Sequence, residues 1–137
     1  MNDVTRLLTC NIFARDEIEI AHQICWRITW LHLNSICNIY GNIAGLENDL
    51  RHSAWGRDIS ILLADRPSDL NQFIKLSGWF ESMSLILMIP DQQPDTITQA
   101  HLMRPRFLIP PPINFNELWL VVQHLIKKGL GEIDQQR

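Results

Sequence analysis

The sequence is short of the features that declare a function most directly. Only three of its 137 residues are cysteine, at positions 10, 25 and 37, and no C-x-x-C pair occurs. An odd, sparse set is neither a disulfide framework nor a zinc site. The five histidines, at 22, 32, 52, 101 and 124, are too scattered to supply ligand spacing. The cysteines are therefore expected to be buried apolar thiols in a reducing compartment. No apolar run approaches the roughly 18 residues of a membrane span. The start, MNDVTRLLTC, lacks the basic opening and long apolar stretch of a signal peptide. Basic residues are also scarce: 12 against 15 acidic ones leave a net charge of −3. With no basic excess to neutralise phosphates, direct nucleic-acid binding by this domain is not expected. No G-x-S-x-G elbow is present. The expectation from these absences is a cytoplasmic protein with no membrane segment, bound metal or cofactor.

What is present is an alternation. Hydrophobic residues make up 46% of the chain and charged residues 20%, enough for one folded domain with a real core. Residues 4–10 form a short apolar run. Residues 15–30 have helical periodicity, with Ile20, Ile24 and Ile28 on one face beside Ala21 and Cys25. Residues 34–41 read as a strand, 42–54 as a weak helix and 58–64 as a continuous apolar strand. Residues 67–80 read as a helix with Pro67 in its first turn, and 82–89 as a second continuous apolar strand. A short helix at 95–104 and a short strand at 106–109 follow. Residues 114–128 are a strong helix, with Asn114 as N-cap and Glu117 completing a capping box. The domain is read as 1–130, and 131–137 as a polar tail or the start of a linker.

Strands that are apolar throughout are buried on both faces, as in a parallel sheet covered by helices. Their alternation with helices implies right-handed βαβ crossovers. Five such units predict an α/β, doubly wound, flavodoxin-like fold with a five-stranded parallel sheet of order 2-1-3-4-5. The first and last helices should cover one face and the other three the opposite face. Ligand crevices in such sheets lie at the carboxyl ends of the strands. The loops after Cys10, Ala64, Ile89 and Ile109 are therefore the expected site.

The (βα)5 order, the segment DISILLAD and the ending FLIPPPINFNELWLVVQHLI resemble the receiver (CheY-like) domains of two-component response regulators, over about residues 4–130. The resemblance implies a regulatory, non-enzymatic role in two-component signal transduction or a phosphorelay. It implies protein partners: a homodimer, another protein, or an output domain in a longer chain, met through the strand 4–helix 4–strand 5–helix 5 face. It also implies four site features. An acidic pair after the first strand holds Mg²⁺, a hard ion that takes carboxylate oxygen. An Asp ending the third strand accepts the phosphoryl group. A Ser or Thr after the fourth strand and a Lys after the fifth offset the charge that builds up there. On the expected strand ends these positions hold Thr9, Cys10 and Asn11, then Leu63, Ile89 and Pro111. Asp65 is the one carboxylate near the acceptor position. It reads either as a residual phospho-acceptor or as a loop Asp capping the helix at Pro67. Asp16 and Glu17 fall in the first turn of a helix, where the dipole favours acids in any case.

The expectation is a degenerate receiver, or pseudo-receiver, that is not phosphorylated with Mg²⁺. One alternative is a weakly phosphorylatable receiver using Asp65, with Asp16 or Glu17 as metal ligand. Another is a small flavodoxin-like binding protein or enzyme, although the segment NIFARDE lacks the hydroxyls and glycine that cradle a phosphate.

Two helices carry more apolar surface than a core face needs. Trp26 and Trp30, at i and i+4, fall opposite the apolar side of the first helix. In the last helix the apolar arc spans roughly 160°, against ~100° for an ordinary surface helix. Trp119 lies at its edge, and Leu120 stands alone on the polar side. Either the aromatic edges of these two helices pack on each other, or Trp26, Trp30, Trp119 and Leu120 offer an exposed patch to a partner.

Overall fold

Two segments with no polar face to offer water, Ile59–Leu63 (β3) and Ser84–Met88 (β4), form the middle of the sheet and pair in parallel from Ile59 with Ser84 to Leu63 with Met88. The computed structural model describes residues 7–52 and 58–135. Around these two strands stand β1 (Leu8–Ala14), β2 (Ser35–Tyr40) and β5 (Phe107–Ile109). The order is β2-β1-β3-β4-β5 and every pairing is parallel, as the apolar runs imply. The helices are α1 (Ile18–Leu31), α2 (Ile43–His52), α3 (Pro67–Lys75), α4 (Pro94–His101) and α5 (Phe115–Gln135), with a 3₁₀ turn at Ser77–Phe80.

Each helix is held by a short apolar stripe. In α1, Ala21, Ile24 and Ile28 pack with the β1 residues Cys10 and Ile12 and with Leu118 and Val122 of α5. On the opposite face Leu46 and Leu50 of α2, Leu70 and Phe73 of α3 and Ala100 of α4 pack on Phe13, Leu62 and Leu87. The rings of Phe13 and Phe73 meet edge to face at 5.0 Å. The layers are therefore those expected, with α1 and α5 on one side and the other three helices behind. At the start of α5 Asn114 caps the helix as read, its Oδ1 accepting the Glu117 N–H at 3.0 Å.

Several boundaries differ from expectation, among them the start of the first helix, at Ile18, and the end of the fourth, at His101. The first strand runs over Leu8–Ala14 rather than 4–10, whose residues 4–6 lie outside the described residues. All seven of its residues are buried, Thr9 and Asn11 included. Those two polar residues are held in the strand by one bond each, and Asn11 Nδ2 is buried without a hydrogen-bond partner among the described residues. The Thr9 N–H donates to Asp58 Oδ2 at 2.9 Å, and Asn38 Nδ2 of β2 donates to Asn11 Oδ1 at 3.2 Å. The helix expected over 67–80 stops at Lys75 and tightens into the 3₁₀ turn. The helix expected over 42–54 is described to His52, and its last two residues lie outside the described residues. The helix expected to end at 128 continues to Gln135, through most of the stretch read as a tail.

The cysteine reading holds at one position of three. Cys10 is a buried thiol, and burial, with the Asp58 charge adding to it, pushes its pKa up to about 12. Cys25 of α1 and Cys37 of β2 instead form a disulfide, with 5.7 Å between their Cα atoms. Sequence spacing could not show this, because the bond depends on α1 packing back over its neighbouring edge strand.

Candidate functional site

At the carboxyl ends of β1 and β3 the two strands leave the sheet side by side, with Ala14 paired to Leu63. The next residues are Arg15-Asp16-Glu17 on one chain segment and Ala64-Asp65-Arg66 on the other. This placement corrects the expected site. Thr9, Cys10 and Asn11 lie inside β1, far down the strand from its exit, because the strand is longer at that end than its polar residues suggested. The exit of β1 therefore does carry acidic residues. Asp16 precedes α1 in a loop, and Glu17 is its N-cap residue without a side-chain cap bond, so neither belongs to the first helical turn.

The Asp16 N–H donates to Asp65 Oδ2 at 3.0 Å. Asp65 therefore binds the β1 exit and does not cap α3, whose N-cap residue is Arg66, with no side-chain cap bond. Burial holds the Asp65 carboxyl above the usual carboxylate range. The Asp16 and Asp69 charges push the same way, while the Asp16 N–H and Arg66 pull it down. Below this pair, Arg15 reaches the buried carboxylate of Asp69 in the first turn of α3, with Nη2 2.8 Å and Nε 3.2 Å from Oδ1. The guanidinium also lies 5.7 Å from the centre of the Phe13 ring. Arg66 stands 4.0 Å from Asp16, both exposed.

The other two exits carry no charge partner for an anion. Leu63 ends β3 as a fully buried core residue, and Ile89, just past β4, is buried too. After β5 come Pro110, Pro111 and Pro112, with a cis bond between the last two. Gln92 Nε2 donates to the Pro111 carbonyl at 3.1 Å and holds the β4 and β5 exits together. Asp91 is occupied locally: the Thr96 hydroxyl and the Gln93 N–H hold its carboxyl below the usual range.

No group of three His, Cys, Asp or Glu side chains able to hold a metal occurs among the described residues. One Asp65 oxygen is already engaged by the Asp16 amide, and Arg66 competes for Asp16. Arg15 and Asp69 are not evident as a pair from the sequence alone. The signal available was the repeated strand ending, Phe13-Ala14 before Asp16 and Leu63-Ala64 before Asp65.

The second candidate area lies on α1 and α5. Trp26 and Trp30 are 66% and 68% exposed and meet each other edge to face at 5.8 Å. They do not pack on the aromatic residues of α5. Arg27 fills that place, 4.8 Å from the Phe115 ring centre and 5.7 Å from that of Trp119. Trp26, Arg27, Trp30, Leu31 and Trp119 line a shallow, open, almost wholly apolar groove. Leu120, 65% exposed, lies outside it.

No protein-family model matches the sequence, and no curated protein matches it. Solved structures do match by fold. A CheY-like response regulator receiver domain protein from Methanospirillum hungatei superimposes with a TM-score of 0.68 at 13% identity, over 96% of this chain and 100% of that one. A putative pilus assembly-related protein from Burkholderia pseudomallei gives 0.61 at 15% identity, over 91% and 92%. The Salmonella typhimurium RcsB response regulator gives 0.68 at 13%, over 90% of this chain and 60% of that one. At these identities the likeness establishes the receiver fold alone.

Proposed function

We propose that this chain is a degenerate receiver that acts in signal transduction through protein contacts, without Mg²⁺-dependent aspartyl phosphorylation and without catalysis of its own. The observation that carries the reading is the pair of exits after β4 and β5. Ile89 and Pro111 stand where a phosphoryl group would need a hydroxyl and an ammonium. A carboxylate attacking an anionic phosphoryl group must have the repulsion offset by positive charge. Of the two guanidiniums beside the Asp16–Asp65 pair, that of Arg15 is committed to Asp69 and that of Arg66 faces Asp16. The receiver fold supports a regulatory role, and a cytoplasmic setting has to accommodate the Cys25–Cys37 disulfide, which a reducing compartment disfavours. Its partner would be a second copy, another protein, or an output domain in a longer chain, and not nucleic acid bound by this domain.

A second reading, a weak receiver using Asp65, is favoured by the hydrogen bond that brings Asp16 and Asp65 together. A flavin-type phosphate fits less well, since it would meet Asp16, Glu17 and Asp65 at the mouth of the crevice. Incubation with acetyl phosphate and Mg²⁺, followed by intact-mass measurement, separates the readings. An unchanged mass is expected. A phosphoryl adduct that disappears in Asp65→Asn would establish the weak receiver instead.

A further inference from the structure

We infer that the outer face of α1 is a homodimer interface, in which α1 packs antiparallel on α1 of a second copy about a two-fold axis near Gln23. This rests on the contact-mediated reading above and names the partner. It differs from the strand 4–helix 4–strand 5–helix 5 face that the receiver resemblance implies. On that face α4 shows Pro94, Asp95, Thr98, Gln99 and His101 to water, and the exposed large apolar side chains are the isolated Leu102 and, on α5, Leu120.

The α1 face is different in kind. Two tryptophans one turn apart are each about two-thirds exposed, beside a groove of about 370 Å³. Contiguous exposed aromatic surface of this sort marks a contact site. The groove is too open and too poor in polar groups to fix a small ligand, whose orientation needs several placed donors or acceptors. About an axis near Gln23, Trp26 and Trp30 of each copy lie opposite Ile20 and Asp16 of the other, so one face supplies both halves of an isologous contact.

Charge selects the second copy and its direction. Along the exposed stripe of α1 lie Glu19, Gln23 and Arg27, one turn apart. Glu19 and Arg27 are exposed, and neither has an ion-pair partner among the described residues; Arg27 rests on the rings of Phe115 and Trp119. With Gln23 at the axis, Glu19 of each copy meets Arg27 of the other, giving two equivalent ion pairs. A parallel arrangement would set Glu19 beside Glu19 and Arg27 beside Arg27. Antiparallel packing also opposes the two helix dipoles.

The available area is adequate. Two-thirds of two tryptophans, at ~150–250 Å² each, gives ~200–330 Å² per copy. From both copies that is about a third to just over a half of the ~1,200 Å² at which stable interfaces begin. Leu31, Trp119 and the stems of Glu19, Gln23 and Arg27 add to it.

Sedimentation of the intact chain over a wide concentration range tests this. The wild type is expected to dimerise. Trp26→Ala is expected to weaken the dimer at least ~30-fold, as for a central aromatic anchor. Arg27→Glu should give monomer, and the Glu19→Arg/Arg27→Glu double variant should dimerise again. Circular dichroism of each variant separates loss of contact from loss of fold. That recovery is specific to the antiparallel α1 pairing. A wild type that stays monomeric would overturn the inference but not the contact-mediated reading, which the acetyl phosphate experiment tests by mass. A dimer unaffected by Trp26→Ala and Arg27→Glu would place the interface elsewhere and overturn it as well.

Discussion

Arg15 sets its guanidinium on one oxygen of the buried Asp69 carboxylate, tying the exit of β1 to the first turn of α3. The pair is lopsided. Arg15 keeps 30% of its side-chain surface in water, while Asp69 keeps 2%. The second oxygen, Oδ2, has no hydrogen-bond partner among the described residues. Removing one member of a buried ion pair strands the other charge, at a cost of roughly 3–5 kcal/mol. Because Arg15 is partly exposed, Arg15→Met is expected to lose about 3 kcal/mol in urea unfolding. Adding Asp69→Leu removes the stranded charge, so the double variant should regain at least half of that loss. A single variant within the error of wild type would show that Asp69 is not held by Arg15 in solution.

The Asp65 carboxyl is raised in the folded protein, chiefly by burial. A raised pKa means that folding favours the protonated form. The stability linked to this group is then fully present below its ordinary value of 3.8 and is lost as pH rises through the folded value. At neutral pH Asp65 is therefore a net liability that its bond to the Asp16 amide only partly offsets. Asp65→Asn keeps an acceptor oxygen for that amide and removes the charge. It is expected to be more stable than wild type at pH 7, by less than about 1 kcal/mol because the group is half exposed. The difference should close on acidification below the ordinary carboxylate value. Urea midpoints of the two proteins compared across pH 3 to 7, and growing rather than shrinking toward acid, would contradict this.

Most of the fold was legible because it is written in long apolar runs. The residues of β3 and β4 could not be buried on both faces in anything but a covered parallel sheet, and the order of elements then left few topologies. The site was less legible, and the reason is local. Asn11 is a polar residue that ends the apolar run, and the expected strand therefore stops at Cys10. In the sheet its amide is met by Asn38, a residue 27 positions later. A long-range partner of this kind leaves no mark on local pattern. The shift in the strand end moved the expected exit from Asn11 to Arg15 and hid the approach of Asp16 to Asp65. The disulfide was hidden for the same reason. Spacing along the chain cannot show that a helix residue and an edge-strand residue come to lie 5.7 Å apart at Cα.

The beginning of α5 offers a test of sequence-encoded capping. Asn114 Oδ1 takes the Glu117 N–H at 3.0 Å, satisfying one of the donors that a helix start leaves unpaired. Asn114→Ala is expected to cost about 1 kcal/mol, and Asn114→Asp to be near neutral or slightly stabilising, since a carboxylate suits a helix N-terminus. Thermal unfolding of both variants decides it, and equal losses in the two would argue against capping as the cause.

Cys25 and Cys37 close a loop with a sequence separation of 12 between α1 and the edge strand β2. Loop closure of about this length restricts the unfolded chain by an amount worth roughly 3 kcal/mol. Reduction, or the Cys25→Ser/Cys37→Ser variant, should therefore lower the unfolding free energy by about 2–3 kcal/mol. The fold should survive, because β2 stays paired with β1 along its whole length. Thiol counting makes the same point chemically. The native protein should show no reactive thiol, since Cys10 is buried and its pKa stands at about 12. Denaturation without reductant should expose one, and denaturation with reductant followed by its removal should expose all three cysteines. Cys10 adds a separate signature at high pH. Its raised pKa favours the folded state fully below the unfolded value of 9.0, and that contribution is lost as pH rises toward 12. Alkaline unfolding should thus come later in Cys10→Ala, once its lower overall stability is allowed for by comparing the slopes with pH. Two or more reactive thiols in the native, air-equilibrated protein would show that the Cys25–Cys37 bond does not form in solution, and the stability loss on reduction should then be absent too.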